Sequence, residues 1–254
     1  MNAKRIITGL SMILKMLFRR RIILISLVVI PVAFLSGVEL TASPKMILFR
    51  LASLNEKIFL EESQKGIALV FFAVASTGFL VSFLALNLIQ IDNDVNRRLV
   101  ICGYHPFELL ISNLFSLLLM IMSIALYIGL LINAFVSIKH LPMFIFGLTL
   151  IGFVYGCYGL TIGSLIKGKL EGILLIFLLA NIDVGWLQNP MYYAEAHNNI
   201  IIRYLPAYFP SQSAIIAAFT DYSVANAAFY SILIGSGFLI LSMFIFYNKM
   251  RLKK

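Results

Sequence analysis

The sequence predicts an all-α integral membrane protein with six transmembrane helices, an N-terminal amphipathic helix at the interface, and short broken helices between spans five and six. Three observations lead there. Of the 254 residues, 61% are hydrophobic and only 12% charged, about half the charged share of a soluble domain. Six apolar stretches meet or approach the ~20 residues needed to cross a ~30 Å hydrocarbon core. Their apolar runs are continuous rather than alternating, which favours helices over a β-barrel.

Residues 1–21 are read as an amphipathic elbow. Lys4, Thr8, Ser11, Lys15 and Arg19 recur every three or four residues, while Ile6, Ile7, Leu10, Ile13, Leu14, Leu17 and Phe18 fill the other face, as in a helix lying in a membrane surface. A signal peptide is the competing reading, and the long basic segment without a small-x-small site after Pro31 argues against it. Residues 22–248 hold the spans: Ile22–Leu40, Gly66–Ile91, Leu109–Ile138, Leu141–Ile166, Gly172–Leu187 and Val224–Asn248. The fifth is short and contains Asp183. Residues 249–254 form a basic tail.

The connections carry the charge. With the N-terminus inside, 14 of the 20 lysines and arginines fall on the cytoplasmic side, so both termini are expected there, in a multi-pass protein of a bacterial plasma membrane. The formal charge of +9 is then a topology signal that also attracts anionic lipid headgroups, and it gives no reason to invoke nucleic acid. Between the first two spans, Thr41 to Lys65 mixes Lys45, Arg50, Glu56, Lys57, Glu61, Glu62 and Lys65. It is expected outside, as a partly helical solvated loop.

Inside the second, third and fourth spans there is no Asp, Glu, Lys or Arg, which argues against an ion-coupled pump. Ser76, Thr77, Ser82, Asn87, Asn113, Ser116, Ser123, Asn133 and Thr149 are expected mainly to serve helix packing, with a minority lining a substrate path. Gly147, Gly152, Gly156, Gly159 and Gly163 suit close helix approach better than a hinge.

Two connections are informative. The first, residues 92–108, separates two long uncharged runs. Asp94 suits the N-cap of a short helix from about Val95 to Cys102, and Gly103 suits the left-handed residue that ends it. Pro106 fits the first turn of the next helix, which begins near His105 and carries Glu108. The second, about 188–222, with Trp186 just before it, clusters Trp186, Tyr192, Tyr193, Tyr204 and Tyr208, whose rings suit the headgroup zone. Pro190, Pro206 and Pro210 break it into short helices, with one apolar turn at Ile215–Phe219 before Asp221. Asp183 and Glu195 have Arg203 as a candidate partner there.

Arg97, Arg98, Leu99, then Cys102, Gly103, Tyr104, then Pro106, Phe107, Glu108, Leu109 resemble the loop between the second and third spans in permease subunits of type-2 ATP-binding-cassette exporters. Leu205-Pro206 and Phe209-Pro210 resemble that family's short re-entrant helices between spans five and six. The resemblance covers the whole chain in topology and these two segments in motif. It implies that the first loop is a coupling helix seated in a separate ATPase, with Asp94, Arg97, Arg98, Gly103, Tyr104 and Glu108 as coupling residues. The elbow helix then touches the same ATPase, and the Lys167–Lys169 turn approaches it. Trp186, Pro190, Pro206, Tyr208, Phe209 and Pro210 belong to the outer re-entrant region. The resemblance also implies a second permease copy or a related permease completing the pore, with ATP and Mg bound only by the ATPase.

No enzyme chemistry is expected. His105, His140 and His197 lie on separate loops, Cys102 and Cys157 suggest neither disulfide nor metal site, and no phosphate-binding loop is present. A serine intramembrane protease would need a Gly-x-Ser-Gly motif that Gly235-Ser236-Gly237 lacks. The alternatives are a non-transporting scaffold or sensing subunit and an ion-coupled carrier. A hydrophobic or amphipathic cargo is compatible with an apolar path: a peptide, drug or lipid, including self-protection against an antimicrobial peptide.

Overall fold

A computed structural model describes residues 3–52, 57–90, 98–166, 168–195 and 199–250. The protein is an all-α membrane protein with six helices long and apolar enough to span a bilayer. The amphipathic helix α1 (Ala3–Arg19) is followed by α2 (Arg21–Thr41), the strands β1 (Met46–Ala52) and β2 (Lys57–Ser63), and α3 (Gln64–Gln90). After a helical stretch at residues 98–101 come α4 (Pro106–Asn133), α5 (Leu141–Leu165) and α6 (Lys169–Ile182), which runs on as a π-helical turn, Asp183–Leu187. Three short helices, α7 (Pro190–Glu195), α8 (Asn199–Arg203) and α9 (Tyr208–Phe219), precede α10 (Ala225–Met250).

Helix α5 is the axis of the bundle and packs on α3, α4, α9 and α10. Its glycines explain why. A Cβ at Gly159 would lie 2.3 Å from the Ser82 carbonyl oxygen of α3, and one at Gly147 would lie 2.7 Å from Ala214 Cα of α9. Only hydrogen at these positions lets the backbones approach so closely. Gly152 and Gly156 face Ile121 and Leu117 of α4, and Gly163 faces Ile89 of α3. The polar side chains within the spans mostly fold back onto their own helices. Thr77 Oγ1 donates to Ala73 O, Asn87 Nδ2 to Phe83 O, and Ser116 Oγ to Ser112 O.

Four expectations change. The connection between the first two spans is an antiparallel β-hairpin with Met46 opposite Ser63 and Leu51 opposite Ile58, not a partly helical loop. Its Phe49 and Leu51 are buried and Phe49 meets Phe219 edge-on, so packing on the bundle fixes the strands. The third span ends at Asn133 rather than Ile138, because the Asn133 side chain accepts the Ile138 N–H and turns the chain. The apolar turn expected at Ile215–Phe219 is part of a 12-residue buried helix, α9. Pro210 is accommodated in its first turn, where no intrahelical N–H is required. Asp183 pairs with groups other than the expected Arg203, as described below; the Glu195 side chain and His197 lie outside the described residues.

The bundle has two distinct ends. At one, Tyr247 of α10 stacks on Phe107 at a centroid distance of 4.8 Å, Lys249 Nζ donates to Ser164 O, and Gln90 Nε2 reaches Ile166 O and Gly168 O. Helix α1 belongs to this basic end. At the other, Lys65 pairs with Glu39, and Asp221 pairs with Lys139 and with His140, the latter at 2.8 Å.

Candidate functional site

The site begins with how a short helix ends. Gly103 has φ +90°, a left-handed conformation that side chains with a Cβ rarely adopt. Tyr104 N–H donates to Leu99 O and Gly103 N–H to Val100 O, each at 3.0 Å. This paired closure is a Schellman motif and satisfies carbonyls that the helix end would otherwise leave open. The next helix starts at once. Glu108 Oε2 accepts the His105 N–H and His105 Nδ1 accepts the Phe107 N–H, both at 3.3 Å, a reciprocal cap in front of Pro106. The expected geometry of Gly103 and Glu108 is therefore present.

Helix α1 locks onto this turn. Arg5 Nη1 donates to Gly103 O at 2.7 Å, its guanidinium lies 5.3 Å from the Tyr104 ring centroid, and it approaches Glu108 Oε2 to 3.9 Å. Glu108 is 4% exposed, so a nearby cation offsets part of the cost of burying its charge. One turn further along α4, Ser112 Oγ lies 2.8 Å from Glu108 O and also reaches Ile6 O of α1 at 3.0 Å. A Cβ at Gly9 would lie 2.7 Å from that hydroxyl, so Gly9 lets the two helices touch. Ile13 and Leu17 are buried. The amphipathic helix, the turn and the first turn of α4 thus form one mechanical unit. His105, Phe107 and Tyr247 stack beside it.

Around that unit, Arg98, Ile101, Cys102 and Gly103 are exposed, Ile101 at 65%. A basic and apolar tip held by a rigid base is suited to docking against a protein surface. Asp94 and Arg97, expected as coupling residues, lie outside the described residues. Arg5 was not singled out, because its main partner is a backbone carbonyl and leaves no mark in the sequence. The signal available was its place on the polar face of an amphipathic helix.

The region after the fifth span is organised by Asp183, which is 5% exposed. Tyr155 OH of α5 and the Ala207 N–H before α9 donate to its Oδ2, the latter at 3.0 Å, and Gln188 Nε2 donates to Oδ1 at 3.0 Å. Three donors on a buried carboxylate describe a brace between α5, the π-turn and α9. The aromatics expected here do cluster. Trp186 lies 5.4 Å from Tyr192, Tyr208 lies 6.0 Å from Tyr193, and Phe209 stacks on Tyr230 at 4.8 Å. Pro190 opens α7, Pro206 lies just before α9, and Pro210 is buried in α9. Trp186 is exposed, whereas Tyr208 is buried, so only part of this set faces outward.

Outside the spans, Asp221 is held below the ordinary carboxylate range by hydrogen bonds from Lys139 and then His140. Among the described residues no three His, Cys, Asp or Glu side chains converge as a metal site. Comparison of the chain with models of known protein families and with curated proteins finds no match.

Proposed function

We propose that this chain is the membrane-spanning permease subunit of a type-2 ATP-binding-cassette exporter, forming half of a translocation path and driven by a separate ATPase. The observation that carries the reading is the junction of α1 with the turn before α4, in which Arg5 holds Gly103, Tyr104 and Glu108 together. A push on the exposed tip or on α1 would move both, and the 28-residue helix α4 would carry that displacement across the bilayer. The basic end would face the cytoplasm of a bacterial plasma membrane, in keeping with the distribution of lysine and arginine. A second copy, or a related permease, would complete the pore. The short helices α7 to α9 would form the outer re-entrant region, and the cargo would be hydrophobic or amphipathic. Hydrolysis would belong to the partner, where ATP and Mg would bind.

The test is purification of the tagged chain from its native membrane in mild detergent, with identification of what accompanies it. A stoichiometric cassette ATPase is the expected result. A folded, monodisperse protein with no ATPase would overturn the reading in favour of a scaffold or carrier.

A further inference from the structure

Helices α2 and α6 both pack on α3, and the space between them is an open groove. Near the basic end it forms a cavity of about 540 Å³ lined by Arg20, Ile23, Leu27, Phe83, Lys169 and Ile176, among others. A second cavity of about 270 Å³ continues it past Phe34, Phe72 and Phe177, and Ile30, Phe79 and Leu80 line both. From Arg20 to Phe34 is 14 residues of chain, about 21 Å at 1.5 Å per helical residue. One leaflet of a ~30 Å hydrocarbon core is about 15 Å deep. The groove thus has the reach of a single acyl chain.

Its interior is mainly apolar. Four of the polar side chains lining the two cavities spend a donor on their own helices: Ser26 Oγ on Ile22 O, Asn87 Nδ2 on Phe83 O, Ser76 Oγ on Ala73 O and Asn181 Nδ2 on Phe177 O. The charge is at one mouth, where Arg20 and Lys169 stand on the two opposite walls. Depth that is apolar and a mouth that is doubly cationic complement an amphiphile with one acidic head and an aliphatic tail.

We propose that this groove is a binding site for an anionic phospholipid, with an acyl chain between α2 and α6 over α3 and the phosphate at Arg20 and Lys169. The site would hold α2 to the bundle through lipid as well as through side chains.

Native mass spectrometry of the purified chain tests this with phosphatidylglycerol and phosphatidylcholine of identical dioleoyl chains. The expected result is a one-to-one phosphatidylglycerol adduct retained about ten-fold more than phosphatidylcholine, since each cation near an acidic headgroup contributes several-fold. Arg20→Gln with Lys169→Gln should abolish that preference. Lys15→Gln with Arg98→Gln, which removes equal charge from the same end outside the groove, should keep it. Ile173→Trp, which fills the groove without changing charge, should lower retention of both lipids. Equal retention of the two lipids by the unaltered protein overturns the proposal, and that comparison needs no variant to fold. So does a preference that survives the groove pair, or one that the control pair removes equally.

Discussion

Helices α2 and α5 are both strongly apolar, yet 17% of the most apolar stretch of α2 is buried against 67% for α5. The reason is visible in their glycines. A Cβ at Gly37 of α2 would meet nothing within 4 Å, whereas every glycine of α5 faces a neighbouring helix closely. In lipid, apolarity cannot decide which helix goes inside, because hydrocarbon solvates an apolar side chain as well as a protein core does. Small residues that permit close approach decide it instead. The bundle therefore has a tightly fitted middle, α3, α5 and α9, and an edge of α2, α6 and α10 whose outer faces are exposed.

Gly159 distinguishes the middle from the edge most sharply. Replacing it by Leu drives a side chain into the Ser82 carbonyl and should cost about 3 kcal/mol or more, seen as loss of the monodisperse species on size exclusion. Gly37→Leu should leave the melting temperature unchanged. If the two behave alike, close packing is not what distinguishes middle from edge.

Next in size is Asp183→Leu, which leaves the Ala207 N–H, Gln188 and Tyr155 without their shared acceptor. Stranded buried donors should cost about 3 kcal/mol, read as a lower melting temperature and faster amide exchange at the start of α9. Arg5→Gln should have a smaller global effect, about 1 kcal/mol, because Arg5 is half-exposed. It should still speed tryptic cleavage after Arg98 by freeing the turn from α1.

The smallest effect is at Asp221. Its folded pKa is lowered, so its contribution is complete above the unfolded value of about 3.9 and is lost as pH falls through the lower folded value. A slight drop in melting temperature between pH 5 and pH 3 is expected, and Asp221→Asn should remove that dependence.

The spans and the break before α4 were legible because each depends on local sequence: uninterrupted apolar runs, Gly103 where φ must be positive, and Pro106 with Glu108 where a helix starts. The packing role of the α5 glycines was legible for the same reason. The hairpin was not, since Met46, Ile47, Leu48, Phe49 and Leu51 put apolar groups on both faces of β1 and conceal any alternation. Nor were the partners of Asp183 and Arg5. Tyr155 lies 28 residues from Asp183, and the Ala207 N–H and Gly103 carbonyl are backbone groups that every residue type presents.

In the proposed function, the tip before α4 would receive the motion of an ATPase. The most direct measurement is the ATP hydrolysis of the purified complex, with and without transport-competent membranes, when Arg97→Glu and Arg98→Glu are combined. With both arginines reversed, transport-linked hydrolysis should be abolished while membrane insertion and the melting temperature of the chain stay unchanged. Hydrolysis as fast and as tightly linked to transport as in the unaltered complex would contradict it.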